Sequence, residues 1–196
     1  MIIATLAALA IVVQDQAALR SAPHQNAQQQ AQLQQGDTLE VRGARMDFLQ
    51  VYDHRRERAG YVRAGQVREL GLEPADAPGL LAVVRFLRDT PGDEALGMAY
   101  AAAYLKAAPA QAIDAEPFDA LGSMADRLAA RASAAVGKGN DPKLAAQLET
   151  AASYGVSWNS FERDGRMQLC YEGEAFRRVL ALPAGEAQKA RAAGIH

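Results

Sequence analysis

Two short runs on either side of a densely charged loop constrain this chain more than any other feature. Phe48-Leu49-Gln50-Val51-Tyr52 and Gly60-Tyr61-Val62 flank the loop Asp53-His54-Arg55-Arg56-Glu57-Arg58. Leu49 and Val51 alternate with Phe48, Gln50 and Tyr52, so an extended chain sends them to opposite faces. The charged loop suits an exposed hairpin connection. Upstream, the β-branched Ile11-Val12-Val13 makes a first strand. Pro23 interrupts any ladder, because it lacks an N–H. The Gln-rich stretch His24–Gln35 contains no aromatic residue and reads as a polar loop. Gly36-Asp37 makes a turn, Thr38–Arg42 alternates as a half-buried strand, Gly43 breaks it, and Gly65-Gln66-Val67 closes the module. Several short strands with turn signals between them predict a small closed barrel, which leaves no exposed edge.

The motifs also succeed one another in a known order. Ala18-Leu19-Arg20-Ser21-Ala22-Pro23 is followed by Gly36-Asp37-Thr38-Leu39-Glu40-Val41, then Asp47-Phe48-Leu49-Gln50-Val51, then Gly60-Tyr61-Val62. Residues 11–70 thereby resemble a bacterial SH3 domain, with Phe48 where that family usually has tryptophan. The resemblance implies an SH3-like β-barrel, an exported or cell-envelope location, and binding of a peptide or peptidoglycan-like ligand without catalysis.

After residue 72 the periodicity changes. Glu73–Pro78 carries two prolines and reads as a linker. Leu80, Val84 and Leu87 then form a helical stripe that Thr90-Pro91-Gly92 ends. Glu94–Ala107 and Glu116–Val136 are the next helices, the second with Phe118, Leu121, Ala125 and Leu128 on one side. Asp141 caps a fourth, with Pro142 at its first position. Asp164-Gly165 sits between alternating segments, so residues 156–171 read either as a short β-hairpin or as irregular helix. Glu174–Leu182 is a fifth helix, and an Ala-rich tail follows. The expected fold is therefore segregated α+β: 1–10 a signal-peptide remnant or strand tail, 11–72 a barrel, 73–78 a linker, and 79–196 a helical bundle.

Bulk properties exclude more than they assign. A net charge of −2 gives no general attraction to nucleic acid. One cysteine, Cys170, rules out an internal disulfide, and three scattered histidines give no metal-ligand spacing, so no metal or cofactor is expected. The apolar start Met1–Val13 has the length of a signal-peptide core and a small-x-small end at Ala8-Leu9-Ala10, but lacks a basic leader. It is too short for a stable membrane span. A periplasmic or otherwise exported location is expected, with the cytoplasm as the alternative.

Candidate sites follow from side-chain chemistry. Arg55, with Arg56, Arg58, His54 and Tyr52, offers guanidinium groups that capture carboxylates in pairs. The alternative is a solvated loop partly neutralised by Asp53 and Glu57. Arg20, Phe48 and Tyr61 join Tyr52, His54 and Arg55 as the ligand-binding candidates. Cys170 lacks the Cys-Ser-Gly motif of envelope cysteine peptidases and reads as a structural thiol. Tyr100 and Tyr104, one helical turn apart, suit core packing better than a groove. Asp93-Glu94 reads as a helix start. The expected function is non-enzymatic binding of a peptide or cell-wall fragment. The alternative is a helical scaffold, faintly tetratricopeptide-like, for a protein partner.

Overall fold

A computed structural model describes residues 8–136, 139 and 141–194. The chain divides into two compact units between Leu72 and Glu73. In the first, seven strands among the described residues form one antiparallel sheet: β1 (Ala8–Val12), β2 (Ala17–Arg20), β3 (Gln29–Leu33), β4 (Thr38–Arg45), β5 (Phe48–Asp53), β6 (Arg58–Arg63) and β7 (Val67–Leu70). Their order is β3-β2-β6-β5-β4-β1-β7. The sheet is open, and this corrects the expectation of an SH3-like barrel. The terminal strands β3 and β7 do not pair with each other, whereas closure requires that pairing. Alternation along each strand is the same in an open and a closed sheet, so the motifs predict strands without predicting closure.

The same sheet revises two local expectations. The Gln-rich segment is partly a strand: β3 pairs with β2 from Ala17↔Leu33 to Arg20↔Gln29. Gly43 does not end β4. A β-bulge between Val41 and Gly43 absorbs it, and the strand runs on to Arg45. On one face Leu19, Leu33, Leu39, Leu49, Val51 and Val62 make the core, with Ala10 and Val12 of β1. β1 is paired on both sides, Leu9 facing Glu40 of β4 and Leu70 of β7. Processing after Ala10 would remove three residues from that doubly paired strand. Residues 1–7 lie outside the described residues.

The second unit holds helices α1 (Ala77–Arg88), α2 (Glu94–Ala107), α3 (Glu116–Ala135), α4 (Pro142–Ala152), α5 (Glu174–Ala181) and α6 (Glu186–Ala193). A hairpin of β8 (Trp158–Arg163) and β9 (Arg166–Tyr171) follows α4. Asp164 and Gly165 both have positive φ, 52° and 71°, as a type I′ turn demands. α1 buries Ala77, Leu80, Val84 and Leu87, one stripe at helical spacing. α2 is different: it is buried on nearly every side, from Glu94 to Ala107. Its small residues permit that, since a Cβ on Gly97 would overlap Met124 Sδ of α3. Asp141 caps α4 by accepting the Leu144 N–H at 3.1 Å.

Tyr100 and Tyr104 are core side chains, 8% and 4% exposed. Tyr104 donates its hydroxyl to the Ala112 carbonyl at 3.2 Å. Tyr104→Phe is expected to cost about 1 kcal/mol in urea unfolding, the net value of one buried hydrogen bond plus an unpaired carbonyl. An unchanged midpoint would show that this bond contributes nothing.

Candidate sheet-face site and a helical cleft

Pairing register decides which of the candidate residues meet. Residues opposite one another in an antiparallel pair share a face. Arg20 pairs with Tyr61, Tyr61 with Gln50, and Tyr52 with Glu40. Phe48, Gln50 and Tyr52 stand on the face of β5 away from Leu49 and Val51. Arg20, Tyr61, Gln50 and Tyr52 thus form a band over β2, β6 and β5 on the side opposite the core. All four are half-buried. Tyr61 and Tyr52 are diagonal neighbours, on the order of 7 Å apart. Neither hydroxyl has a hydrogen-bond partner among the described residues, and neither does the Gln50 amide. Arg20 spends one N–H on the Ala27 carbonyl at 2.9 Å.

Beside this band lies a charged cluster. The bulged Arg42 places its guanidinium carbon 4.2 Å from the centre of the Tyr52 ring, and its Nε donates to Glu40 at 2.9 Å. His54 Nε2 is 2.6 Å from Glu40 Oε2, and its ring meets Tyr52 edge-on at 4.8 Å. Hydrogen bonds from Arg42 and from His54 hold the Glu40 carboxyl below its ordinary value. Phe48 belongs to the same face by register but is only 2% exposed, with Arg63 5.9 Å from its ring. It is a packed ring and offers a ligand no free surface.

Arg55 leaves the band altogether. Its Nη2 pairs with Asp37 at 2.9 Å, and Arg56 bridges Asp37 at 2.9 Å and Asp53 at 2.7 Å. Both aspartates are buried, and Asp53 also accepts the N–H groups of Arg55 and Arg56. These arginines therefore neutralise internal carboxylates and brace the β5–β6 connection. No known family model matches this chain, and no curated protein is significantly similar to it. The reading of the site rests on its own geometry.

The second unit carries a feature that the sequence reading passed over. An open cleft of about 1030 Å³ lies between α3 and β9, lined at its two ends by Asp126 with Tyr171 and by Val136 with Arg166. Asp126 has no ion-pair or hydrogen-bond partner among the described residues. Burial without a counter-charge pushes its carboxyl up to about 6. A signal was present: Asp126 lies beside the apolar stripe, and the positions three and four away are Gly122, Ser123, Ala129 and Ala130, none of them a cation. Cys170 also lines the cleft, its Sγ 3.6 Å from the Tyr171 carbonyl. No group of three or more His, Cys, Asp or Glu among the described residues is placed to hold a metal ion. No helix among them is long and apolar enough to cross a membrane.

Proposed function

We propose that this chain is a non-enzymatic binding protein whose N-terminal sheet holds a peptide or cell-wall fragment across its outer face. The observation that carries the reading is the band Arg20–Tyr61–Gln50–Tyr52. It combines two half-buried aromatic rings with hydroxyl and amide groups that have no protein partner among the described residues, on the face opposite Leu49 and Val51. Such groups exchange water for ligand hydrogen bonds, while the rings supply contact area at low entropic cost. Arg20 and Arg42 add donors suited to carboxylates, which peptide stems of cell wall carry. An envelope location is a separate part of the proposal, since Ala8–Val12 of the apolar start already serve as strand β1. The geometry of the band does not depend on it.

The test is titration of the full chain with soluble muropeptides and with unstructured peptides, read by chemical-shift perturbation. Shifts are expected to centre on Tyr61, Gln50 and Tyr52. Tyr61→Ala and Gln50→Ala are each expected to weaken binding about tenfold, equivalent to about 1.4 kcal/mol, while unfolding midpoints move little. If neither ligand class shifts these residues while the sheet stays folded, the proposal is lost.

A further inference from the structure

The cleft between α3 and β9 has two charged ends and a polar wall between them. Leu169 donates its N–H to Ser133 Oγ at 2.8 Å and accepts the same hydroxyl at 3.2 Å. Its backbone therefore turns toward α3 and away from β8. Two residues along the strand, the backbone of Met167 turns the same way. Ala129, Ala130 and Ala134 leave room opposite. Asp126 to Val136 covers about 15 Å of helix, and Arg166 to Tyr171 about 17 Å of strand. Asp126 at one end and Arg166 at the other are both without an ion pair among the described residues. Of the charges on the neighbouring helices, Arg127 and Arg131 of α3 bind Glu94 and Arg177 of α5 pairs with Glu174, while Arg163, Asp164 and Glu172 of the hairpin flank the two ends.

We propose that this cleft binds a short extended peptide with free ends, its ammonium group on Asp126 beside Tyr171 and its carboxylate on Arg166. The charges match in sign and order. A pentapeptide spans about 17 Å when extended, which matches the separation of the two ends. An ammonium ion against Asp126 supplies a counter-charge that no described residue provides, in a partly dry site where a pair is worth more than in water. This site is separate from the sheet face, and neither proposal requires the other.

The probe is pentaalanine with free ends, compared with its N-acetylated and its C-amidated forms, titrated into the full chain by chemical-shift perturbation. Free pentaalanine is expected to shift Asp126, Ser133 and Leu169. Acetylation and Asp126→Asn are each expected to weaken binding at least tenfold. Acetylation should cost the Asn variant nothing further. Amidation and Arg166→Gln should behave as a second such pair. Binding of the free peptide should fall about tenfold from pH 7 to pH 5, as Asp126 protonates while the peptide ammonium stays charged. Asp126→Asn should abolish that slope. Equal binding of free and acetylated peptide, or no binding of the free peptide at millimolar concentration, overturns the proposal. The acetylation comparison requires no variant, so it decides even if Asp126→Asn fails to fold.

Discussion

Glu94→Ala is expected to remove 3–5 kcal/mol from the stability of the C-terminal unit, roughly the cost of breaking a buried ion pair from one side. Glu94 opens α2 and is 0% exposed. Its oxygens accept Arg127 Nε at 2.7 Å, Arg131 Nη1, and the Gly92 N–H at 3.1 Å. Arg127 also donates to the Arg88 carbonyl at 2.6 Å, and Gln147 of α4 donates to the Gly92 carbonyl at 2.7 Å. One carboxylate thus ties the end of α1 to α2, α3 and α4. Removing it leaves two guanidinium groups half-buried without their counter-charge. Since a domain has about 5–15 kcal/mol in total, the variant approaches unfolding. Trp158 is the chain's one tryptophan and lies in this unit, so its fluorescence in urea reports the loss. An unshifted transition would show that the network is replaceable by water.

Acid should act on the same group. Burial alone would raise the Glu94 pKa, but the Arg127 bond, the Gly92 N–H and the Arg131 charge outweigh it and hold the pKa below 4.5. The unfolded chain then takes up the proton first. The contribution is complete above pH 4.5 and is lost as pH falls through the lower folded value. Glu94→Gln should flatten that part of the acid limb of the Trp158 transition.

How far the sequence reveals such features depends on whether their cause is local. The cap at Asp141 is set by residues within a few positions and can be read directly, and the equally local turn signal at Asp164-Gly165 makes the hairpin one of two readings of residues 156–171. Glu94 reads as an exposed helix start because its partners, Arg127 and Arg131, lie on another helix more than thirty positions away. Arg55 and Arg56 read either as carboxylate-binding cations or as a loop partly neutralised by Asp53 and Glu57; Asp53 does pair with Arg56, whereas Asp37 reaches both arginines only through the sheet. Gln29–Leu33 lacks strand formers and becomes a strand by pairing with β2, a tertiary cause that overrides local preference. Of the candidate site, Arg20, Tyr52 and Tyr61 could be read from alternation and motif. The burial of Phe48 is visible only in the packed structure, and the place of Gln50 beside Tyr61 only in the register.

Gly60 connects that register to the site, and Gly60→Ala is expected to cost about 2–3 kcal/mol, as overpacking does in a well-filled core. A Cβ there would sit 2.8 Å from Leu19 Cγ and Cδ1 and 2.9 Å from the Arg20 carbonyl oxygen. Leu19 is fully buried, and the oxygen is backbone, so neither can yield cheaply. The contact falls where β2 meets β6, at the Arg20↔Tyr61 pair. Pushing β2 away carries β3 with it and separates Arg20 from Tyr61. Amide exchange in β2 and β3 should therefore accelerate on the order of 30- to 100-fold, 1.4 kcal/mol being a factor of ten. Ligand shifts at Tyr61 should disappear with it. Gly43→Ala is the control, because its Cβ would meet only Gln50 Oε1 at an ordinary 3.6 Å. If the two variants exchange alike, close approach at Gly60 is not what holds β2 on the sheet. If only Gly60→Ala opens β2 and loses the ligand, the binding band exists because a strand without a side chain at that position lets Arg20 and Tyr61 meet.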